Sequence, residues 1–172
     1  MIEEKQVRVR PARLTDDTAL TRLDAAAWSA EAGFPSLIEH VTETNAPFFG
    51  ADKPPEAHLV AELDGNVVGY VRLKAATRLP ENAHVIQVQG LAVHPSARRR
   101  GIAAMLLTAA IQRLRERGTR KLTLRVLSTN TAALALYERL GFVREGVLRD
   151  EFIINGRYVD DILMAMPLDS RA

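Results

Sequence analysis

Polar and apolar positions along the chain fall into short blocks of recognisable period. VRVRPA at 7–12 alternates and closes on a proline, predicting a first short strand. TDDTALTRLDAAAW follows with the period of a helix: Thr15 stands at the N-cap, acids fill the first turn, and Leu20, Leu23 and Ala27 share a side. From Ser29 to Glu56 the pattern is broken by Gly33-Phe34-Pro35, Ala46-Pro47 and Pro54-Pro55. A second, interrupted helix is expected around Ser36 to Asn45, with a loop after it. HLVAEL, Asp64-Gly65 and NVVGYVRL then form the clearest hairpin signal in the chain.

A third strand is expected over about 84–93, HVIQVQGLAV, with Gly90 interrupting it as a bulge would. IAAMLLTAAIQRLRERG reads as a strong helix, with Leu107, Ile111 and Leu114 on one stripe and Gly118 as its stop. KLTLRV alternates as a strand. TAALALYERLGF is another helix, with Ala133, Leu136, Tyr137 and Leu140 on one face and Gly141 just past its end. GVLRDEFII and RYVDDILMAM flank Asn155-Gly156, a second hairpin. The central β-α-β-α order demands a parallel crossover and the hairpins demand antiparallel pairs, so the sheet is expected to be mixed.

Composition narrows the class. A chain of 172 residues with no repeat or linker is expected to be one domain over 1–172. A net charge of +2 is too small by itself to argue for nucleic acid, and aromatic residues, 5% of the chain, do not interleave with the basic run. With no cysteine, disulfides, thiolate metal sites and a cysteine nucleophile are excluded. No apolar stretch is long enough to span a membrane, and the charged start MIEEKQVRVR does not read as a signal peptide; a cytoplasmic protein is expected.

The basic charge is concentrated in Arg98 to Arg100, between a His94-Pro95 exit from a strand and a helix opening near Gly101. A solvated face or an RNA contact would account for three arginines taken alone. The alternative is an anion site. The N–H groups at a helix start have no partner within the helix, and Gly101, Ala103 and Ala104 let a ligand approach that backbone. Neither the phosphate loop of nucleoside triphosphatases nor the dinucleotide fingerprint is present.

LAVHPSARRRGIAAMLL resembles the acyl-CoA-binding segment of the GNAT acetyltransferase superfamily, whose pattern Gln/Arg-x-x-Gly-x-Gly/Ala is filled by Arg98, Gly101 and Ala103. STNTAALALYERLGF is similar to the second motif of that family, through Asn130, Ala133, Tyr137, Gly141 and Phe142. The resemblance covers roughly 58–166. It implies a mixed α+β fold: a central, mostly antiparallel sheet of about seven strands with four or so helices on both faces. It also implies an acetyl-CoA-dependent N-acetyltransferase with no metal, which passes acetyl directly to an amine in a ternary complex. The backbone of Leu91, Ala92 and Val93 would hold the pantetheine arm and polarise the thioester carbonyl. Arg98, Arg99, Arg100, Gly101, Ile102, Ala103 and Ala104 would surround the diphosphate of coenzyme A. Asn130, suited to cap its helix, would also lie against the pantetheine region. Tyr137 would protonate the departing thiolate; its alternative role is packing against Phe142 at the helix end. Gly90 fits an ordinary bulge as well as it fits the splaying of a strand.

Many relatives carry a glutamate on the fourth strand, where this chain reads Gln87 and Gln89. An amide cannot accept a proton. His84 and Glu62 are conceivable substitutes, and the base is left unassigned.

The acceptor pocket is expected to be shaped by Trp28 to Phe49, with Glu31, Phe34 and Phe48, and by the last hairpin. Its acids Asp150, Glu151, Asp160 and Asp161 would attract a cation, and alternation places Asp160 and Asp161 on opposite faces. The expected acceptor is a primary amine of a small molecule, such as an amino acid or polyamine. A protein N-terminus of the ribosomal-protein type and a non-catalytic CoA-binding sensor are the alternatives. No nucleic-acid or membrane partner is expected, and exposed strand edges leave room for a homodimer.

Overall fold

Strands β1 (Val7–Pro11), β2 (His58–Leu63), β3 (Asn66–Ala75), β4 (Val85–Val93), β5 (Lys121–Leu127), β6 (Val143–Ile154) and β7 (Arg157–Pro167) form one sheet in the order β1-β2-β3-β4-β5-β7-β6. The computed structural model describes residues 6–28, 34 and 46–169. Every neighbouring pair is antiparallel except β4 and β5, which run parallel. Both expected hairpins are present, turning at Asp64-Gly65 and Asn155-Gly156.

Among the described residues there are three α-helices, α1 (Asp17–Ala27), α2 (Ile102–Glu116) and α3 (Thr131–Leu140), where four or so were expected. The helix expected over 36–45 lies outside the described residues. Thr15 does not cap α1. Leu14–Asp16 form a short 3-10 turn, and the helix opens one residue later, at Asp17, with Asp16 in the N-cap place. The Asp16 carboxylate is committed elsewhere: it accepts from the Arg13 N–H at 2.8 Å and from Arg10 Nη1 and Nη2 at 2.8 and 2.9 Å. Arg10 beside it holds this carboxyl below its ordinary range.

Helices occupy both faces because successive strand residues point to opposite sides. Val60, Tyr70 and Ala92 pack against Leu20, Leu23 and Ala27 of α1, together with Phe48. Their neighbours Leu59, Ala61 and Val71 pack against α2. On α2 the predicted stripe Leu107, Ile111 and Leu114 is buried, joined by Ile102, Leu106 and Ala110. Each large aliphatic side chain so buried contributes about 1.5–3 kcal/mol against the entropy of ordering the chain. The α3 face joins the same core through Leu134 and Tyr137. No described helix is long and apolar enough to cross a membrane.

Candidate acyl-transfer cleft

The parallel pairing of β4 with β5 lasts three residues: Val85 with Lys121, Ile86 with Leu122, Gln87 with Thr123. Beyond Gln87 and Thr123 the two strands part, and a cleft of about 580 Å3 opens between Val88–Val93 and Leu124–Leu127. The parting has a local cause. The β3–β4 register slips between Arg72 and Leu73, opposite Gly90 and Val88, so Gln89 is an extra residue and β4 bends there. A Cβ on Gly90 would meet Tyr70 Cε2 at 3.3 Å, so glycine lets the bulge lie flat on that ring. Both readings of Gly90 therefore describe one feature: the bulge lies at the splay.

The cleft passes through the sheet. From the α2 and α3 side it is lined by Ala103, Asn130, Ala133, Leu136 and Tyr137; from the α1 side by Ala27, Trp28, Phe34, Gln89 and Arg125. Leu91, Ala92, Val93 and Arg98 line it as well. The N-terminus of α2 opens on a left-handed Gly101, φ +74° and ψ 8°, preceded by Arg99 at φ +63°. The backbone N–H groups of Arg99 to Ala104 make no hydrogen bond to another backbone group among the described residues, as the first turn of a helix requires. A Cβ at Gly101 would have nothing within 4 Å, so the space above this turn is open. Arg99 and Arg100 are exposed. Arg98 is tied back, Nη2 donating to Ala27 O at 2.7 Å and Nε to Val93 O at 3.3 Å. It joins α1 to the end of β4 while still lining the cleft.

Asn130 Oδ1 accepts from the Ala133 N–H at 3.2 Å and so caps α3. Tyr137, two turns further on, presents one edge to the cleft and packs against the ring of Phe142, with centroids 5.7 Å apart. The Phe142 N–H donates to Tyr137 O at 3.0 Å, closing the helix end. Burial alone pushes the Tyr137 phenol up to about 12. No described residue hydrogen-bonds its hydroxyl.

The two substitutes for a strand glutamate are elsewhere. Glu62 accepts from Arg10 Nε at 2.8 Å across the β1–β2 pair. His84 precedes β4 at its opposite end, where its carbonyl receives the Arg120 and Lys121 N–H groups. The Gln89 amide donates to Gln87 Oε1, so both amides share the acceptor side of β4.

Two groups near the cleft carry no local signal in the sequence. Asp24 on α1 accepts from Tyr70 Oη at 2.6 Å and Trp28 Nε1 at 2.8 Å, with Lys53 Nζ at 3.7 Å. Desolvation lowers the Lys53 ammonium pKa, and burial raises Tyr70 well above its ordinary value. Arg125 pairs with Asp161, which is 3% exposed, and lies 3.7 Å from Glu151. Their separations of 46 and 36 residues hide these contacts; only the i, i+4 spacing of Asp24 and Trp28 could have been anticipated. As alternation required, Asp160 is separate from Asp161, accepting from the Asp150 N–H at 2.9 Å.

Residues 19–142 match the acetyltransferase (GNAT) family, and the chain belongs to that family of N-acetyltransferases. It is 33% identical over 174 residues to an N-alpha-acetyltransferase of Sulfurisphaera tokodaii, covering 95% of each chain. It is also 33% identical over 117 residues to the L-amino acid N-acetyltransferase AaaT of Escherichia coli, 67% of this chain and 70% of that protein. The fold matches a phosphinothricin acetyltransferase from Sinorhizobium meliloti solved with acetyl-CoA, with a TM-score of 0.73 at 22% identity over 94% of this chain and 88% of that one.

Proposed function

We propose that this N-acetyltransferase passes acetyl from acetyl-CoA directly to the primary amine of a small molecule, within a ternary complex. One observation carries the reading: the freed β4 backbone, Asn130 and Tyr137 border a single cleft, beside the open first turn of α2. On this reading the unpaired N–H groups from Arg99 to Ala104, with Arg98 to Arg100 at the rim, hold the diphosphate. The backbone of Leu91 to Val93 holds the pantetheine arm and polarises the thioester carbonyl. The amine arrives from the α1 side, past Trp28 and Gln89. Its nitrogen attacks the carbonyl carbon, the carbon–sulfur bond breaks, and Tyr137 meets the departing sulfur from the helix side. The amides of Gln87 and Gln89 orient water or amine and accept no proton, so the amine enters neutral or loses its proton through water.

The relative named for L-amino acids supports a small acceptor. A protein N-terminus is the second reading, favoured by the 95% coverage of the N-alpha-acetyltransferase. A panel of amino acids, polyamines and short peptides, followed by thiol release and by product mass, tests both. Faster release with a small amine is expected. Acetylation of peptides alone would transfer the assignment to the second reading, and no release with any amine would overturn acyl transfer.

A further inference from the structure

Among the described residues, the acceptor side of the cleft presents a charge, Arg125, whose role the transfer chemistry does not use. Arg125 lies two residues past Thr123, the last β5 residue paired with β4, and so projects from the same face as Thr123 and Gln87. It is therefore the first side chain on that face beyond the fork. Its neighbours Leu124 and Val126 face the opposite way, into the core shared with Tyr137. Tyr137 and Arg125 thus approach the cleft from opposite sides of the sheet.

Burying Asp161 requires a cation, and Arg125 supplies it through Nε and Nη2. That pairing occupies one edge of the guanidinium. The side chain is 44% exposed and lines the cleft, and Nη1 donates to no described residue. A planar fork fixed on one edge by a buried carboxylate offers its other edge, already oriented, to a second carboxylate. Glu151 shows what that edge attracts. Its Oε1 stands 3.7 Å from Nη2, an ion-pair distance too long for a hydrogen bond, on a side chain 40% exposed. An exposed, loosely placed partner yields to a ligand at little cost.

We propose that Arg125, fixed by Asp161, is the acceptor-binding residue that grips the carboxylate of an α-amino acid, displacing Glu151 and selecting free amino acids over amides and peptides. The inference rests on the transfer reading above and names its acceptor class. In an α-amino acid a single carbon separates amine from carboxylate, so the anchor must stand beside the point of attack, as Arg125 does at the fork. Among the described residues, Trp28, Phe34 and the Gln89 amide form the facing wall. These three suit an apolar side chain.

The test compares amino acids with apolar side chains, their primary amides and dipeptides as acceptors, reading kcat/KM for each alongside acetyl-CoA affinity. The wild type is expected to prefer the free acid about 100-fold, the scale of a charge-assisted pair left unmade. Arg125→Ala should lose about 100-fold on the acid, bringing the acid-to-amide ratio close to one, with acetyl-CoA affinity unchanged. Arg125→Lys, which keeps the charge and loses the fork, should recover about tenfold of that loss. Glu151→Gln, which leaves the Asp161 pair intact, should lower KM for the acid about threefold and leave the amide alone. Equal turnover of acid and amide by the wild type, equal losses on both in Arg125→Ala, or a raised KM for the acid in Glu151→Gln would overturn the proposal. With amides or peptides preferred, the transfer reading survives and the clamp does not. With no CoA released by any amine, the transfer reading falls and takes the clamp with it.

Discussion

Replacing Tyr137 by phenylalanine removes one oxygen from the cleft and leaves the ring. The structure sets the size of the effect. The side chain is 8% exposed, its ring keeps the edge contact with Phe142, and its hydroxyl has no described hydrogen-bond partner. Deleting an unpartnered hydroxyl costs the fold almost nothing, so the melting temperature should stay within about a degree of wild type. The chemistry is a different matter. A phenol held near 12 is a poor proton donor to a free thiolate, whose conjugate acid lies near 8.5; the transfer runs uphill by roughly 3.5 pKa units, about 5 kcal/mol. If Tyr137 serves the departing sulfur as proposed, it therefore acts earlier, donating a hydrogen bond as negative charge develops and yielding its proton only while the breaking bond keeps sulfur more basic. A hydrogen bond to a charged group contributes about 1.5–3 kcal/mol, so kcat should fall about 10- to 150-fold.

Steady-state kinetics at saturating acetyl-CoA, with calorimetric titration of acetyl-CoA, checks this. Affinity should be unchanged, because the hydroxyl matters most where charge develops. The neutral phenol persists well above pH 9, so Tyr137 should add no alkaline limb to kcat below about pH 10. A folded Tyr137→Phe enzyme with wild-type kcat would refute the reasoning, as would a loss appearing only in the affinity for acetyl-CoA.

Gly101→Val and Gly118→Val form a matched pair at the two ends of α2. Both glycines are left-handed, at φ +74° and +73°, and neither Cβ position has an atom within 4 Å. Each change should cost roughly 1–2 kcal/mol of strain by denaturant melts, but only Gly101→Val should weaken acetyl-CoA binding, by more than tenfold in calorimetry. Equal affinities in the two variants would exclude the first turn of α2 as the diphosphate site. His58 is fully buried among Phe48, Phe49 and Tyr70, with Nδ1 bonded to Pro54 O at 2.8 Å and Nε2 without a partner. Desolvation first lowers its pKa from 6.5 to about 4. The unfolded chain thus binds the extra proton between those values, and the stability this ring contributes is complete above about pH 6.5 and lost as pH falls to 4. The loss amounts to about 3 kcal/mol. His58→Phe should flatten that part of the acid limb in chemical denaturation, and an unchanged limb would place the acid sensitivity in another group.

The half of the cleft proposed to hold the cofactor is legible in the sequence because its determinants are local. The period of Leu107, Ile111 and Leu114 gives α2 its buried stripe, and Gly101 supplies the left-handed entry. Asn130 and Tyr137 lie two turns apart on one helix, so their spacing alone aligns them. Even the bulge announced itself as a glycine inside an alternating strand. The start of α1 is not legible in the sequence because Asp16, in the N-cap place, turns its carboxylate away from its own helix to bind Arg10 across the chain reversal, a contact with no signature in helix-capping rules. Gln87 and Gln89 depart visibly from the family pattern, whereas the charge beside them carries no such mark. Arg125 reads as the exposed residue of a half-buried strand, and only the fork turns that exposed face into a wall.

This difference has a physical origin with a functional consequence. On the proposed reading, the side that receives the cofactor adds to the β4 backbone two continuous segments, 98–104 and 130–142, each holding its own geometry through caps and backbone bonds. The side proposed to receive the acceptor is assembled by side chains from α1, β3, β5, β6 and β7, meeting through Asp24–Tyr70 and Arg125–Asp161. A single change of charge there alters what is recognised without touching the caps that hold the other half. Altering the cofactor half strains a helix terminus. One scaffold can therefore keep its chemistry while its acceptor changes, in keeping with relatives named for N-alpha-acetyl transfer, for L-amino acids and for phosphinothricin. On the proposed reading, the side chains that decide the acceptor in this chain are those facing the fork from the α1 side, and Arg125 is the charge that the described residues place there.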